Sequence, residues 1–278
     1  MSAQKDSQLG GIAGLREKAK SLKDKLGMDT SPVGVKLIFQ KDTALMKDAG
    51  KSESVTKVRG YRYCQAVMEA RHGRHVLLDK EGISCPAAAA AFGFKPLPEG
   101  LKNGKGLVGF GISKHEDVGR EMFKGMDALA PGELHSLYLF PLETAAVEPD
   151  IVVIEEKVER LMWVVLACVN AKGGRRVKSS TAVLQATCVD ATIIPFKHHS
   201  MNLSFGCYGC RDATDIGPDE SVLGFPYSDF DDIAGYVEYL SMKAIPASRR
   251  KNAYTMLKMR SAQKTLESDI FEMNEDRK

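Results

Sequence analysis

The sequence has no long hydrophobic run and almost no excess of charge of either sign. Its most apolar segment, residues 161–169, is far shorter than the about 20 residues that a membrane-spanning helix requires. The N-terminal segment has no apolar centre of the kind found in signal peptides. Lys and Arg number 39 and Asp and Glu 36, and the net charge of +3 does not indicate binding to nucleic acid or to an anionic membrane. We therefore expect a cytoplasmic protein that neither spans a membrane nor binds nucleic acid.

Common catalytic and nucleotide-binding motifs are also missing. The chain contains no His-Glu-x-x-His motif and no recognisable Ser-His-Asp pattern. The basic segment 172–178 lacks the spacing of a Walker loop, and no dinucleotide-binding glycine fingerprint occurs elsewhere. The basic stretch 249–264 has one aromatic residue, Tyr254, and we interpret it as a solvated helix face. The usual hydrolase and nucleotide-binding classes are therefore not indicated.

The features that are present indicate a folded α+β protein. Strands and helices are predicted without the strict alternation of a parallel fold, which favours mixed sheets with packed helices. We divide the chain into an amphipathic helical extension (residues 1–29), a cysteine-containing core (30–245) and a basic helix with a mobile tail (246–278). The extension has apolar residues at spacings of three and four, and this apolar face could serve as a dimer arm in a homo-oligomer.

Three segments of the core have a less regular pattern. Residues 95–111 are rich in Gly, Pro and Lys and are predicted to form a loop. Residues 201–226 contain many turn formers, and we predict a long loop there, which inside a compact domain is usually functional. The apolar segment 181–188 is predicted to be helical.

The two halves of the core show a weak internal sequence similarity. Cys64 and Cys85 are 21 positions apart (85 − 64), and Cys188 and Cys207 are 19 apart (207 − 188). A Gly-Phe pair follows in each half. This similarity raises the hypothesis of two similar halves that face each other across a cysteine-lined site, although chance explains it nearly as well.

The six cysteines carry the clearest functional signal. Thiols stay reduced in the cytosol, so a group of cysteines there indicates a metal or redox site before it indicates disulfides. Cys207 and Cys210 form a Cys-x-x-Cys pair with a glycine before each cysteine. Glycine permits backbone conformations that turn both sulfurs toward one point.

Three further cysteines have surroundings that suit a ligand. Cys85 precedes a proline and a predicted alanine helix, whose free N–H groups favour a thiolate. Cys64 lies near Arg62, a cation that also favours the thiolate form, and Cys188 follows a predicted helix. Taken singly, each of the three could instead be a small buried hydrophobic residue. The predicted metal ligands are Cys64, Cys85, Cys188, Cys207 and Cys210. Cys168 is predicted to pack on an apolar helix face.

The ligand pattern favours an iron–sulfur cluster over zinc. Structural zinc sites usually draw on two close pairs of ligands, and this chain has one such pair. Cysteines collected from distant segments suit a [4Fe-4S] cluster better, with zinc as the alternative cofactor. A thioredoxin-type redox pair requires a strand-to-helix junction, whereas Asp212, Asp215 and Gly217 indicate a loop, so this interpretation ranks lower.

Two arginines are predicted to lie beside the bound group. Arg62 is near the first ligand cysteine, and Arg211 directly follows the last, where it could bind a carboxylate or phosphate or pair with Asp212. His198 and His199 precede the cysteine pair and could supply a ligand or a proton donor. Neighbouring side chains of an extended chain point to opposite faces, so at most one of the two faces the site, and a surface pair is the alternative.

Several of these segments together resemble a known family. They are PVGVKLIF, YCQAVMEARHG, GISCPAAAAAFGF, PDIVVI, TAVLQATC and NLSFGCYGCR followed by GFP. Their order over residues 30–245 is similar to that of the "domain of unknown function 169" family, whose members occur mainly in archaea and anaerobic bacteria. The resemblance implies that the pattern cysteines are Cys64, Cys85, Cys188, Cys207 and, less regularly, Cys210. It implies a thiolate site in an oxygen-poor cytosol and does not identify a substrate.

We predict from these observations an iron–sulfur protein of anaerobic metabolism. It would transfer electrons or carry out reductive chemistry on a small molecule, with a redox partner protein or that small molecule as its partner. Cys210 would replace one of the other four ligands or remain a free thiol near substrate. One alternative is a module that binds a small ligand or a tetrapyrrole without catalysis, and another is a structural zinc protein. The sequence does not decide whether the protein is an enzyme.

Overall fold

One mixed sheet of seven strands forms the centre of the protein, in a computed structural model that describes residues 2–42 and 55–248. The strands are β1 (Val33–Phe39), β2 (Val55–Lys57), β3 (His75–Asp79), β4 (Leu134–Pro141), β5 (Ile151–Lys157), β6 (Asn202–Ser204) and β7 (Glu220–Pro226). Their order across the sheet is β2-β3-β4-β1-β5-β7-β6. The β2–β3 pair is parallel and the other pairs are antiparallel. The predicted α+β class is confirmed.

Helices of very different length surround this sheet. They are α1 (Ser2–Leu26), α2 (Tyr63–Arg71), α3 (Pro86–Ala91), α4 (Glu99–Lys102), α5 (Lys105–Gly109), α6 (Glu116–Lys124), α7 (Val158–Ala171), α8 (Ile194–His198), α9 (Tyr208–Ala213), α10 (Phe230–Ser241) and α11 (Ala244–Ser248). A π-helix (Ala186–Ile193) precedes α8 directly. Short 3₁₀ turns cover Gln40–Asp42, Leu142–Thr144 and Tyr227–Asp229. None of the helices within the described ranges has both the length and the apolar character needed to cross a membrane.

The chain divides into two units, Met1–Glu238 and Tyr239–Lys278. The first unit contains the whole sheet, which is continuous, so the hypothesis of two similar halves stays a prediction. The described part of the second unit contains the end of α10 and the short helix α11. The predicted basic helix at residues 249–266 lies outside the described residues. The predicted domain boundaries at residues 29 and 245 stay predictions.

The predicted amphipathic helix at the N-terminus is confirmed. Leu15, Ala19, Leu22 and Leu26 are buried at the spacing that places them on one face of α1. Arg16 Nε donates a hydrogen bond of 2.7 Å to the carbonyl oxygen of Ala145. The apolar face of α1 is therefore covered within its own chain, and the predicted homo-oligomer has no support from an exposed stripe there.

Two segments predicted as loops instead contain regular structure. Residues 95–111 contain α4 and α5, joined at Gly104, whose φ of +84° suits glycine. Residues 201–226 contain β6, α9 and β7. These elements are short and rich in turn formers, so local propensity is weak and tertiary packing decides their conformation. The prediction for residues 181–188 was partly wrong, because regular structure begins at Ala186 and has π geometry.

Two close contacts fix the position of the π-helix, one with the sheet and one with α2. A Cβ atom at Gly224 of β7 would lie only 1.7 Å from the carbonyl oxygen of Ala191, so glycine allows the π-helix to lie directly on that strand. The Tyr63 hydroxyl at the start of α2 lies 2.9 Å from Thr192 Oγ1, within the buried core. These contacts set the position of α2 and the π-helix relative to each other, and both elements carry cysteines.

Candidate thiolate site

Five of the six cysteines line one pocket, which has a volume of about 450 Å³. They are Cys64, Cys85, Cys188, Cys207 and Cys210. Four separate segments supply them: α2, the residue before α3, the π-helix, and the start of α9. All five are free thiols. Cys168 does not line the pocket and is buried in α7, as its apolar surroundings predicted.

The Cys-x-x-Cys pair lies at the start of a helix. Cys207 is the N-cap residue of α9, and its Sγ accepts a hydrogen bond of 3.3 Å from the backbone N–H of Cys210. The two Sγ atoms are 3.1 Å apart. Gly206 has a φ of +84°, a conformation that favours glycine and turns the chain from β6 into α9. The expectation of an irregular loop was wrong here, and the strand-to-helix junction that the sequence did not indicate is present.

Cys188 lies in the unusual π-helix and is almost fully buried. π-Helices are rare and occur frequently at functional sites. Cys85 is the N-cap residue of α3, with a proline at the first helical position as predicted, but its side chain accepts no hydrogen bond from that helix. The expected support of the Cys85 thiolate by helix N–H groups is therefore not present as a hydrogen bond.

The thiols of the pocket differ in their tendency to ionise. Hydrogen bonds from Cys207 and Cys64, and from the backbone N–H of Thr187, hold the pKa of Cys210 below its usual range. The hydrogen bond to Cys210 and burial raise the pKa of Cys64 and of Cys207. Burial is the main cause that raises the pKa of Cys188. The arrangement is one thiolate stabilised by neighbouring thiols that keep their protons.

A series of buried polar contacts connects Cys210 with a carboxyl group and a guanidinium group that the sequence did not reveal. Thr187 Oγ1 lies 3.3 Å from Cys210 Sγ and donates a hydrogen bond of 3.0 Å to Glu155 Oε1. Arg71 Nη1 lies 3.8 Å from Glu155 Oε2, and both side chains are almost fully buried. Burial raises the pKa of Glu155 to about 8, although the Arg71 cation opposes the shift.

Arg71 extends this series of polar contacts toward the surface. Its guanidinium pairs with Asp215 at 2.7 Å and with Glu220 at 3.4 Å. The spacing of Cys64, Val67 and Arg71 places all three on one face of α2. This spacing could have indicated a buried partner for Arg71 from the sequence, because a charged residue on a buried helix face requires a partner.

The structure brings one of the two predicted arginines to the pocket. Arg62 lines it, and its Nη1 donates to the carbonyl oxygen of Gly209 at 2.9 Å and pairs with Asp212 at 3.3 Å. Arg211 does not line the pocket. Its guanidinium donates to the backbone carbonyl oxygens of Phe205, Gly217 and Glu220.

The two histidines are placed away from the cysteines. His198 pairs with Asp127 at 3.0 Å, and His199 has a left-handed backbone conformation after α8. Neither residue lines the pocket. This placement agrees with the alternative of a surface pair.

Part of the pocket lining forms an apolar wall. Helices α4 to α6 and the turn between them contribute Leu101, Leu107, Phe110, Ile112 and Phe123. Leu107 and Phe123 are buried, whereas Phe110 is 70% exposed at the mouth. The sequence prediction missed this wall because it treated most of the segment as a loop.

The pocket offers sulfur ligands, which suit thiophilic metals and iron–sulfur clusters. Within residues 2–42 and 55–248, no group of three or more His, Cys, Asp or Glu side chains is arranged to hold a metal ion. A single zinc ion needs four ligands about 2.0–2.3 Å from one centre. A four-iron cluster separates its ligand sulfurs more widely, because each sulfur binds a different iron.

Comparison with known proteins gives one match. A family model described as "DUF169: Uncharacterised ArCR, COG2043" matches residues 21–235, most of the chain and all six cysteines. No curated protein and no solved structure matches the chain.

Proposed function

We propose that this chain, which belongs to the uncharacterised DUF169 family, is an iron–sulfur protein that holds a [4Fe-4S] cluster in its five-cysteine pocket. The observation that carries the proposal is the convergence of Cys64, Cys85, Cys188, Cys207 and Cys210 from four segments on one pocket. Four of the five would ligate the cluster, and the fifth would remain as a thiol beside it. When bound, such a cluster supplies one-electron transfer to a protein or to a small molecule.

The sixth cysteine serves as an internal comparison. Cys168 is buried on α7 and does not line the pocket. Cysteines retained only for packing would be distributed like Cys168, over the core of the protein. Their concentration at one pocket, with an apolar wall, favours a shared chemical role.

The polar surroundings of Cys210 also support a thiolate ligand. The Thr187 hydroxyl lies 3.3 Å from Cys210 Sγ, and Arg71 provides a buried positive charge behind Glu155. Hydrogen bonds to ligand sulfurs and nearby charge adjust the potential of iron–sulfur clusters. We therefore assign Thr187, Glu155 and Arg71 to the support of the site rather than to the binding of metal.

The test is purification of the full chain without oxygen, followed by visible and electron paramagnetic resonance spectra and assays for iron and sulfide. We expect a coloured protein with about four iron and four sulfide per chain. The double variant Cys207→Ser, Cys210→Ser should lose the iron, whereas Cys168→Ser, the matched control outside the pocket, should retain it. A colourless protein that still has six free thiols after anaerobic reconstitution would falsify the proposal. Zinc without sulfide would identify the alternative cofactor.

A second candidate is dithiol–disulfide exchange, favoured by the 3.1 Å separation of Cys207 Sγ and Cys210 Sγ at a helix start. In this reaction the two thiols form one disulfide and give two electrons and two protons to a substrate disulfide, which becomes two thiols. It leaves Cys64, Cys85 and Cys188 without a role, so we rank it second. Reduction of a model disulfide by the metal-free protein, lost in Cys207→Ser, would support it.

A further inference from the structure

We propose that the five-cysteine pocket also binds an uncharged, mainly hydrocarbon small molecule between the thiols and the apolar wall of α4 to α6. The inference deepens the proposed function, on which it rests, by naming the class of molecule that would meet the bound cluster. Its physical basis is the volume of the pocket, the composition of its walls and the charges at its rim.

The volume and the wall indicate an organic ligand. The pocket measures about 450 Å³, within the range of about 300–1,000 Å³ that is usual for small-molecule sites. The five thiols line it together with the apolar side chains of Leu101, Leu107 and Phe123. Contact with such a wall releases water from apolar surface, which favours a hydrocarbon body over a polar one.

The charges at the pocket argue against an anion. Among the described residues of its lining, Arg62 is the one basic side chain, and it pairs with Asp212 at 3.3 Å. Arg62 also donates to the carbonyl oxygen of Gly209, so its charge is compensated from two sides. A carboxylate or phosphate would enter without a cationic partner, at a high desolvation cost.

One buried polar side chain points to a neutral hydrogen-bonding group on the ligand. Gln185, at the start of the π-helix, lines the pocket and is 6% exposed. Its side-chain amide can both donate and accept a hydrogen bond, so a carbonyl, hydroxyl or amine of a ligand would pair with it in the pocket.

The test uses two fluorescent probes that share one aromatic skeleton. N-phenyl-1-naphthylamine is uncharged, and 1-anilinonaphthalene-8-sulfonate is the same molecule with a sulfonate. Both are titrated into the full chain under reducing, oxygen-free conditions, without metal and after reconstitution with iron and sulfide. We expect saturable binding of the uncharged probe and at least about 10-fold weaker binding of the sulfonate.

Two substitutions on α3 form a matched pair. Ala87 lines the pocket and Ala90 does not, although both belong to the same short helix and are partly buried. Ala87→Phe fills the pocket and should weaken binding of the uncharged probe at least about 10-fold, whereas Ala90→Phe should change it less than about 2-fold. Phe110→Ser, at an exposed position of the rim, provides a second variant that should weaken binding without loss of folding. Thermal unfolding of each variant verifies that it is folded.

The results separate this inference from the proposed function. Absence of saturable binding, equal binding of the sulfonate, or equal effects of the two alanine substitutions would overturn the apolar site, even if iron and sulfide are present. Binding of the uncharged probe that responds to Ala87→Phe but not to Ala90→Phe would support it. If the uncharged probe bound in this way to a chain that takes up no iron, the apolar site would be supported and the proposed cluster would be refuted.

Discussion

Cys207 Sγ and Cys210 Sγ lie 3.1 Å apart although both are free thiols. The separation is about 1 Å more than a disulfide bond, and the two residues share the first turn of α9. Cys210 is also the thiol with the lowered pKa, because Cys207 and Cys64 donate hydrogen bonds to it. The pair is therefore placed to react with an oxidant or a metal.

Mild oxidation of the metal-free protein should join this pair first. We expect diamide to remove two thiols per chain, and peptide mapping should locate the disulfide at residues 207 and 210, because the thiolate form of Cys210 attacks. Cys207→Ser should abolish this product, and Cys168→Ser should leave it unchanged. A first disulfide that involves Cys64, Cys85 or Cys188 instead would contradict the short distance.

Loss of Arg71 should be strongly destabilising. Its buried guanidinium faces Glu155, Asp215 and Glu220, and Arg71→Met would leave the carboxylates of Asp215 and Glu220 without their cation. We expect a decrease of about 3–5 kcal/mol in the free energy of unfolding, measured by urea denaturation. Arg74→Met removes an exposed pair with Glu69 and should cost less than about 1 kcal/mol. If both variants lost similar amounts of unfolding free energy, the buried contacts of Arg71 would contribute no more to stability than the exposed pair.

Glu155 should make stability depend on pH in a particular direction. Burial raises its pKa from 4.5 to about 8, so between these values the folded protein binds a proton that the unfolded chain has lost. This contribution to the free energy of unfolding therefore decreases as pH rises from about 5 to 8. Glu155→Gln cannot lose that proton, and its stability relative to the unmodified protein should increase over the same range. Urea denaturation at several pH values measures the difference, and a constant difference would refute the assignment.

Two glycine substitutions should have opposite effects. A Cβ at Gly224 would lie 1.7 Å from the carbonyl oxygen of Ala191, so Gly224→Ala must displace the π-helix from β7. We expect a loss of more than about 3 kcal/mol and lower iron content, because Cys188 moves with the π-helix. A Cβ at Gly235 of α10 would meet no atom within 4 Å, and Gly235→Ala should stabilise by up to about 1 kcal/mol. Chemical denaturation compares the two, and equal stability of both variants would contradict the contact.

The periodic parts of the fold were predictable from the sequence. The apolar spacing in α1 and the β-branched run of β1 predicted both elements, because one face of α1 and nearly the whole of β1 are buried. The helices α4 and α5 were missed, since they contain four and five residues and depend on packing around Leu101 and Leu107. The π-helix was also missed, because no local pattern distinguishes it from an α-helix.

The chemistry of the site was predictable and its surroundings were not. Residue type and spacing grouped five cysteines that the structure places around one pocket. The pairing of Arg71 with Glu155 joins α2 to β5, and no local pattern specifies a contact between residues 84 positions apart (155 − 71). For the same reason, the apolar wall of the pocket could be recognised only after the chain was folded.

The pocket also has a consequence for when its occupant can arrive. Cys64 and Cys210 are separated by 146 positions (210 − 64), so a growing polypeptide on the ribosome has no complete set of sulfurs until most of it has been translated. A cofactor that needs these sulfurs must therefore be delivered after most of the chain has been translated. A cofactor bound to both Cys64 and Cys210 would cross-link these distant parts of the chain and slow the unfolding of the whole unit.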